Sequence, residues 1–181
     1  MNELEEKEFL NSLKNKKYFE EWFQIVKPYL LSEEFQKRKM FKHHVASVYE
    51  HSCIVSYKCF IYAKKKKLNE RNYALAGLLH DFYPYTWRYS PELDNIDKKY
   101  NERVKNKDSR VSIHGIIHGD EAYENLLKFF PELESVEIKD AITRHMFPLT
   151  RMPRTRLGWK LTMVDKIDSV VDIVFMRIIK K

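Results

Sequence analysis

Cysteine is nearly absent: Cys53 and Cys59 are the only two in 181 residues. That is too few for a disulfide framework or a thiolate zinc site, and their spacing of six does not place them together on a helix. They are expected to be buried free thiols in a reducing compartment. Glycine is also scarce, with four in the whole chain, and there are few alternating Val-rich runs, so strands are not expected to dominate. No apolar stretch approaches the ~20 residues needed to cross a bilayer. The first residues include Glu3, Glu5 and Glu6 instead of a basic segment followed by an apolar run, so no secretory signal is read there. A soluble, cytoplasmic protein is expected.

What the chain does have is charge and helical periodicity. Hydrophobic residues make up 44% and charged residues 33%, the balance of an ordinary globular protein. Lys and Arg number 33 against 26 Asp and Glu, a net charge of +7, which favours anionic partners. The Lys64–Lys67 run reads as a solvated helix end.

Apolar spacing predicts helices over 3–14, 17–30, 47–65, 70–80, 118–129, 134–146 and 157–179. Ser32 before Glu33 and Glu34 reads as an N-cap. In the last helix, Leu161, Val164, Ile167, Val171 and Val174 form the expected buried seam, while Asp168 and Asp172 read as a solvated acidic flank. Residues 83–113 are polar and aromatic with little periodicity. Segment 94–106 reads as a short exposed helix within what is otherwise a long connection, a lid or substrate loop. With no repeats and no linker, the expectation is a single all-α domain over 1–181, the helices of 1–36 packing on the remainder.

The seven histidines carry the chemistry. His51 lies three residues from Val48 and from Ile54, on an apolar stripe where an unpaired imidazole is costly. His80 and Asp81 are adjacent, and consecutive residues in a helix point about 100° apart. They converge most easily where a helix ends, and Pro84 requires an end nearby. Asp165 borders the buried seam. One metal ion would satisfy several such groups together.

In this order, His51, then His80-Asp81, then Asp165, the chain resembles the HD superfamily. The flanks Ala76-Gly77-Leu78-Leu79-His80-Asp81 and Val164-Asp165-Lys166-Ile167-Asp168 share the resemblance, which covers about 37–172. It implies an all-α HD-type fold and hydrolysis of phosphate esters or anhydrides by a metal-activated water. His118 and His145 resemble the two further histidines that create a second metal position in part of the superfamily. His114, one turn before His118, competes for that place, and His118 is preferred for the residues that follow it. The stretches 78–88 and 145–149 resemble a group of small bacterial HD proteins, from which Thr86 and the pair His44-Val45 depart.

The implied metal ligands are therefore His51, His80, Asp81, His118, His145 and Asp165, for one or two divalent ions. An imidazole-rich set suits Fe, Mn, Co, Ni or Zn. With two ions, Asp81 is the natural bridge and a catalytic residue. Lys166, beside a ligand, is the first choice for neutralising a phosphoryl oxygen; Arg88, Arg144, Lys42 and His44 are weaker candidates for substrate binding. Tyr83, Tyr85 and Trp87 are candidates to stack on a base or to fill core, with Tyr83 favoured for core. The expected partner is a small phosphorylated compound, a nucleotide by preference, and neither a membrane nor nucleic acid. Two other readings stand beside this one: an iron-dependent oxygenase on the same ligand set, and a non-catalytic basic helical binding module.

Overall fold

A computed structural model describes residues 3–14, 16–43, 46–86, 98–106 and 113–179. His44, Trp87 and Arg88 lie outside these residues, as do the side chains of Lys42, Val171, Asp172 and Val174.

The architecture is all-α. Helices α1 (Glu3–Lys14), α2 (Phe19–Leu30) and the single turn α3 (Glu33–Gln36) lead into a two-residue ladder of β1 (Lys42–His43) and β2 (Ala46–Ser47). Then come α4 (Val48–Lys66), α5 (Glu70–Leu79), α6 (Lys98–Lys105), α7 (His114–Phe129), α8 (Val136–Arg144) and α9 (Arg156–Ile179). The start of α4 is a capping box, in which the Ser47 hydroxyl accepts from the Glu50 amide and the Glu50 carboxylate accepts from the Ser47 amide. Both join orphan donors of the first turn to acceptors. Lys64, Lys65 and Lys66 close the helix, where positive charge opposes the macrodipole. The lysine run is thus a helix end, with Lys64 also paired to Glu21. Ser32 caps α3 through the Phe35 amide, 3.2 Å away.

One apolar core joins the N-terminal helices to the others: Leu13, Phe19, Trp22, Val26 and Leu30 cluster with Val55, Phe60, Leu75, Leu79 and Leu161. Trp22 is fully buried, and its indole N–H donates to Ser56 Oγ at 2.9 Å. Ser56 in turn donates to the Ala74 carbonyl at 2.7 Å, so one relay ties α2, α4 and α5. Burial of a side chain of this kind is worth about 3–5 kcal/mol against truncation to alanine.

Glycine sets the approach of the helices that matter. A Cβ on Gly77 would lie 2.7 Å from Ser56 Cα, so α5 can press against α4 only without a side chain there. A Cβ on Gly119 would lie 2.7 Å from the Ile142 carbonyl, which fixes α7 against α8 in the same way.

The seam of α9 departs from the expected one. Leu161 and Val164 are buried, but Ile167 is 57% exposed and Asp168 only 6%. Six residues beyond Leu161 is about 240° round the helix, whereas seven residues returns to within about 20°. Phase, not apolarity, decides which of the two faces inward, so Asp168 is no part of a solvated flank. The two cysteines are buried free thiols, as expected.

Candidate metal centre

Three helix ends and two helix interiors deliver the polar groups. His80 and His145 follow the last residues of α5 and α8, where carbonyls lack helical partners. Each imidazole meets one of them: His80 Nδ1 lies 2.9 Å from the Gly77 carbonyl and His145 Nδ1 2.7 Å from that of Ile142. His118, early in α7, does the same with the His114 carbonyl at 2.8 Å. His51, in the first turns of α4, instead turns Nδ1 to Asp168 Oδ2 at 3.3 Å. A carbonyl or carboxylate can only accept, so these contacts favour a proton on Nδ1 and make Nε2 the atom that each ring can offer to a metal once any proton there is displaced.

All four Nε2 atoms point to one place. His51 Nε2 is 3.1 Å and His80 Nε2 3.5 Å from Asp165 Oδ1. The two oxygens of Asp81 face opposite ways: Oδ2 lies 3.6 Å from His80 Nε2, while Oδ1 lies 3.3 Å from His118 Nε2 and 3.7 Å from His145 Nε2. His118 and His145 bring their Nε2 atoms to 2.9 Å of each other. Ligand atoms held about 2.1 Å from one ion are about 3.0 Å apart in octahedral and about 3.4 Å apart in tetrahedral geometry. The observed separations, from 2.9 to 3.7 Å, straddle those values, and two groups, His51-His80-Asp165 and His80-Asp81-His145, bring their donor atoms within 4.8 Å of one another.

Without a cation this arrangement is expensive. All six residues are buried, and His80 Nε2 has no hydrogen-bond partner among the described residues. Burial disfavours the imidazolium of His51, yet Asp165 and Asp168 raise it to about 10. Burial also opposes protonation of His118, and Asp81 overcomes it. His145 goes the other way, lowered to about 3 by burial and by His118 and His80. Burial would raise Asp165, but bonds from His51 and His80 hold it well below the usual carboxylate range. Protons thus occupy some of the places that a divalent ion would fill, and a metal binds by displacing them. The residues present therefore fit a divalent metal.

Several supports were not legible in the sequence. Asp168 braces His51 from behind and is itself paired with Lys58. The Phe82 carbonyl, next to Asp81, accepts from Asn125 Nδ2 at 2.8 Å and from Arg38 Nη2 at 3.3 Å. Arg38 is fully buried between the Phe41 and Phe82 rings, 5.0 and 4.6 Å from their centroids. This clamp fixes the turn that presents Asp81. No motif signals it, because the shared atom belongs to the backbone.

The other sequence candidates fall as follows. Lys166 is half-buried, one residue from Asp165, and has no ion pair among the described residues. Arg144 is held by Asp140 at 3.1 Å and by the Met152 carbonyl at 2.8 Å, a structural engagement. His114 does not join the convergence. Its ring stacks on His118 with centroids 4.6 Å apart, its Nδ1 meets the Tyr85 hydroxyl at 3.0 Å, and burial beside His118 lowers it to about 3. Tyr83 and Tyr85 are buried, 1% and 2% exposed, so neither ring offers a free face for stacking.

Among the described residues no helix is long and apolar enough to cross a membrane. No curated protein and no solved structure matches the chain. A family model described as HD domain matches residues 48–173, from the first residue of α4 to within α9, and takes in every residue of the convergence. The chain belongs to the HD domain family, whose members are mostly metal-dependent phosphohydrolases.

Proposed function

We propose that the chain is a hydrolase of phosphate ester or anhydride bonds in a small phosphorylated compound, a nucleotide being the first choice. The observation that carries this reading is the convergence of four Nε2 atoms on two carboxylates, with each Nδ1 turned away from the centre to a carbonyl or to Asp168. His51, His80, Asp165 and Asp81 would hold one ion, and Asp81, His118 and His145 would hold a second. A divalent transition metal bound there lowers the pKa of a coordinated water and so supplies a nucleophile near neutral pH.

The protein's own groups do the remaining work. Asp81, with one oxygen toward His80 and the other toward His118 and His145, would serve both positions. Asp165 and Asp81 bring negative charge that stabilises the cations inside a buried pocket. Lys166 adds a positive charge at the edge, where an equatorial phosphoryl oxygen needs neutralising as attack proceeds. With Arg144 engaged elsewhere, Lys166 is the first choice among the described cations.

The test is a phosphate-release screen over nucleotides and small phosphomonoesters, with protein purified without a chelating tag and supplied with Mn, Fe, Co, Ni or Zn. Release from at least one substrate is expected, lost in His80→Ala and Asp81→Ala and lost on chelation. Turnover that survives in pure Asp81→Ala protein contradicts the proposal. Oxygen consumption without phosphate release would favour the oxygenase reading of the same ligands.

A further inference from the structure

On the Nδ1 side of His51, α1 and α4 face one another across a groove. Phe9, Ser12 and Leu13 of α1, with Lys16 just past its end, form one wall; Ile54, Tyr57, Lys58 and Ile61 of α4 form the other. Each set follows i, i+3, i+4, i+7, a single helical face. Asp168 of α9 closes the groove, which encloses about 600 Å³, the size of a small-molecule site. The walls are built in advance: Phe9 packs edge-on to Tyr49 at 6.4 Å, and Leu13 is buried.

The polar groups of this groove are already engaged, with one exception. Ser12 Oγ donates to the Phe9 carbonyl at 2.6 Å, and the Tyr57 hydroxyl donates to the Lys17 carbonyl. Asp168 is shared by Lys58 and His51. Lys16 is exposed and has no ion pair among the described residues. An apolar trough therefore carries an uncompensated positive charge at its rim, beside a second ammonium that is 45% exposed.

We propose that this groove binds an amphipathic anion, a medium-chain carboxylate whose tail lies between α1 and α4 and whose headgroup meets Lys16. Seven residues of helix span about 10 Å, the reach of a chain of about ten carbons. Burying such a tail releases water from Phe9, Ile54, Tyr57 and Ile61, and the Lys16 ammonium selects the sign of the head. Asp168, which faces His51, is part of the groove's lining, so an occupied groove borders the back of the candidate metal centre. Binding itself does not depend on the metal reading, and metal-free protein tests it alone.

The experiment is calorimetric titration of the chelator-stripped full chain with sodium decanoate below its micelle onset, against decyltrimethylammonium as the cation of equal tail length. A single saturable decanoate site is expected, with the cation weaker by about ten-fold. Lys16→Glu should weaken decanoate by about three-fold or more, and Ile54→Trp, which fills the trough, should remove binding. Should Ile54→Trp fail to fold, the exposed Lys16→Glu decides the matter. Absence of saturation, equal affinity for the cation, or decanoate binding unchanged in Lys16→Glu overturns the proposal.

Discussion

The two halves of the candidate metal centre are built differently. On one side, α4, α5 and α9 bring His51 and His80, both fully buried, against Asp165 and one oxygen of Asp81. On the other, α7 and α8 bring His118 and His145 against the remaining oxygen of Asp81. The first half offers four donor atoms, including oxygens from two carboxylates; the second offers three, with one carboxylate oxygen. The means of orientation differ too. His80, His118 and His145 are braced by carbonyls of their own helices, while His51 is braced by a carboxylate from a helix more than a hundred residues away. A carbonyl one turn back comes with the helix itself, whereas the Asp168 brace exists only once α9 has docked.

This asymmetry predicts a tight ion in the first half and a weaker one in the second, and substitutions can break it in stages. Asp81→Ala removes the carboxylate whose two oxygens face both halves, so it should abolish phosphate release and reduce the content of both ions, read by kinetics and elemental analysis. His80→Ala should empty the first half, and His118→Ala should leave it filled. Bound metal in His118→Ala should then fall from about two ions to about one at saturating supply. Equal loss in the two variants would erase the distinction. Lys166→Met should lower kcat by about 10²–10³-fold without changing metal content.

Smaller effects sharpen the same contrast. Asp168→Asn should weaken the first ion alone by about 10–100-fold, measured by competition with a chromophoric chelator. Gly77→Ala and Gly119→Ala should each cost about 1–3 kcal/mol of stability through overpacking, read by chemical denaturation. They should also separate by site: Gly77→Ala loosens the α4–α5 contact beneath the first ion, and Gly119→Ala the α7–α8 contact beneath the second.

Much of this was legible before any coordinates. The helices follow from apolar periodicity, and the residues that converge are those singled out by histidines and aspartates at awkward positions. The choice of His118 over His114 rested on the residues after each, and the structure brings His118 to the centre. It also begins α7 at His114, a turn earlier than expected. What could not be read depends on phase or on backbone atoms. The sequence reads Asp168 as part of a solvated acidic flank and Ile167 as part of the seam, yet the helical angle turns the carboxylate inward and the isoleucine outward. Arg38 and Asn125 meet through the Phe82 carbonyl, an acceptor that every residue possesses. Gly77 and Gly119 look like composition until a Cβ is placed on them and strikes the neighbouring helix.

The central claim is that these scattered imidazoles and carboxylates grip a divalent transition metal. Titration of metal-stripped protein with Co(II), followed by visible absorption, tests it most directly. The account predicts bands that grow to saturation in two steps of unequal affinity and vanish in Asp81→Ala. Spectra that never rise above those of free cobalt, or that Asp81→Ala leaves unchanged, contradict it.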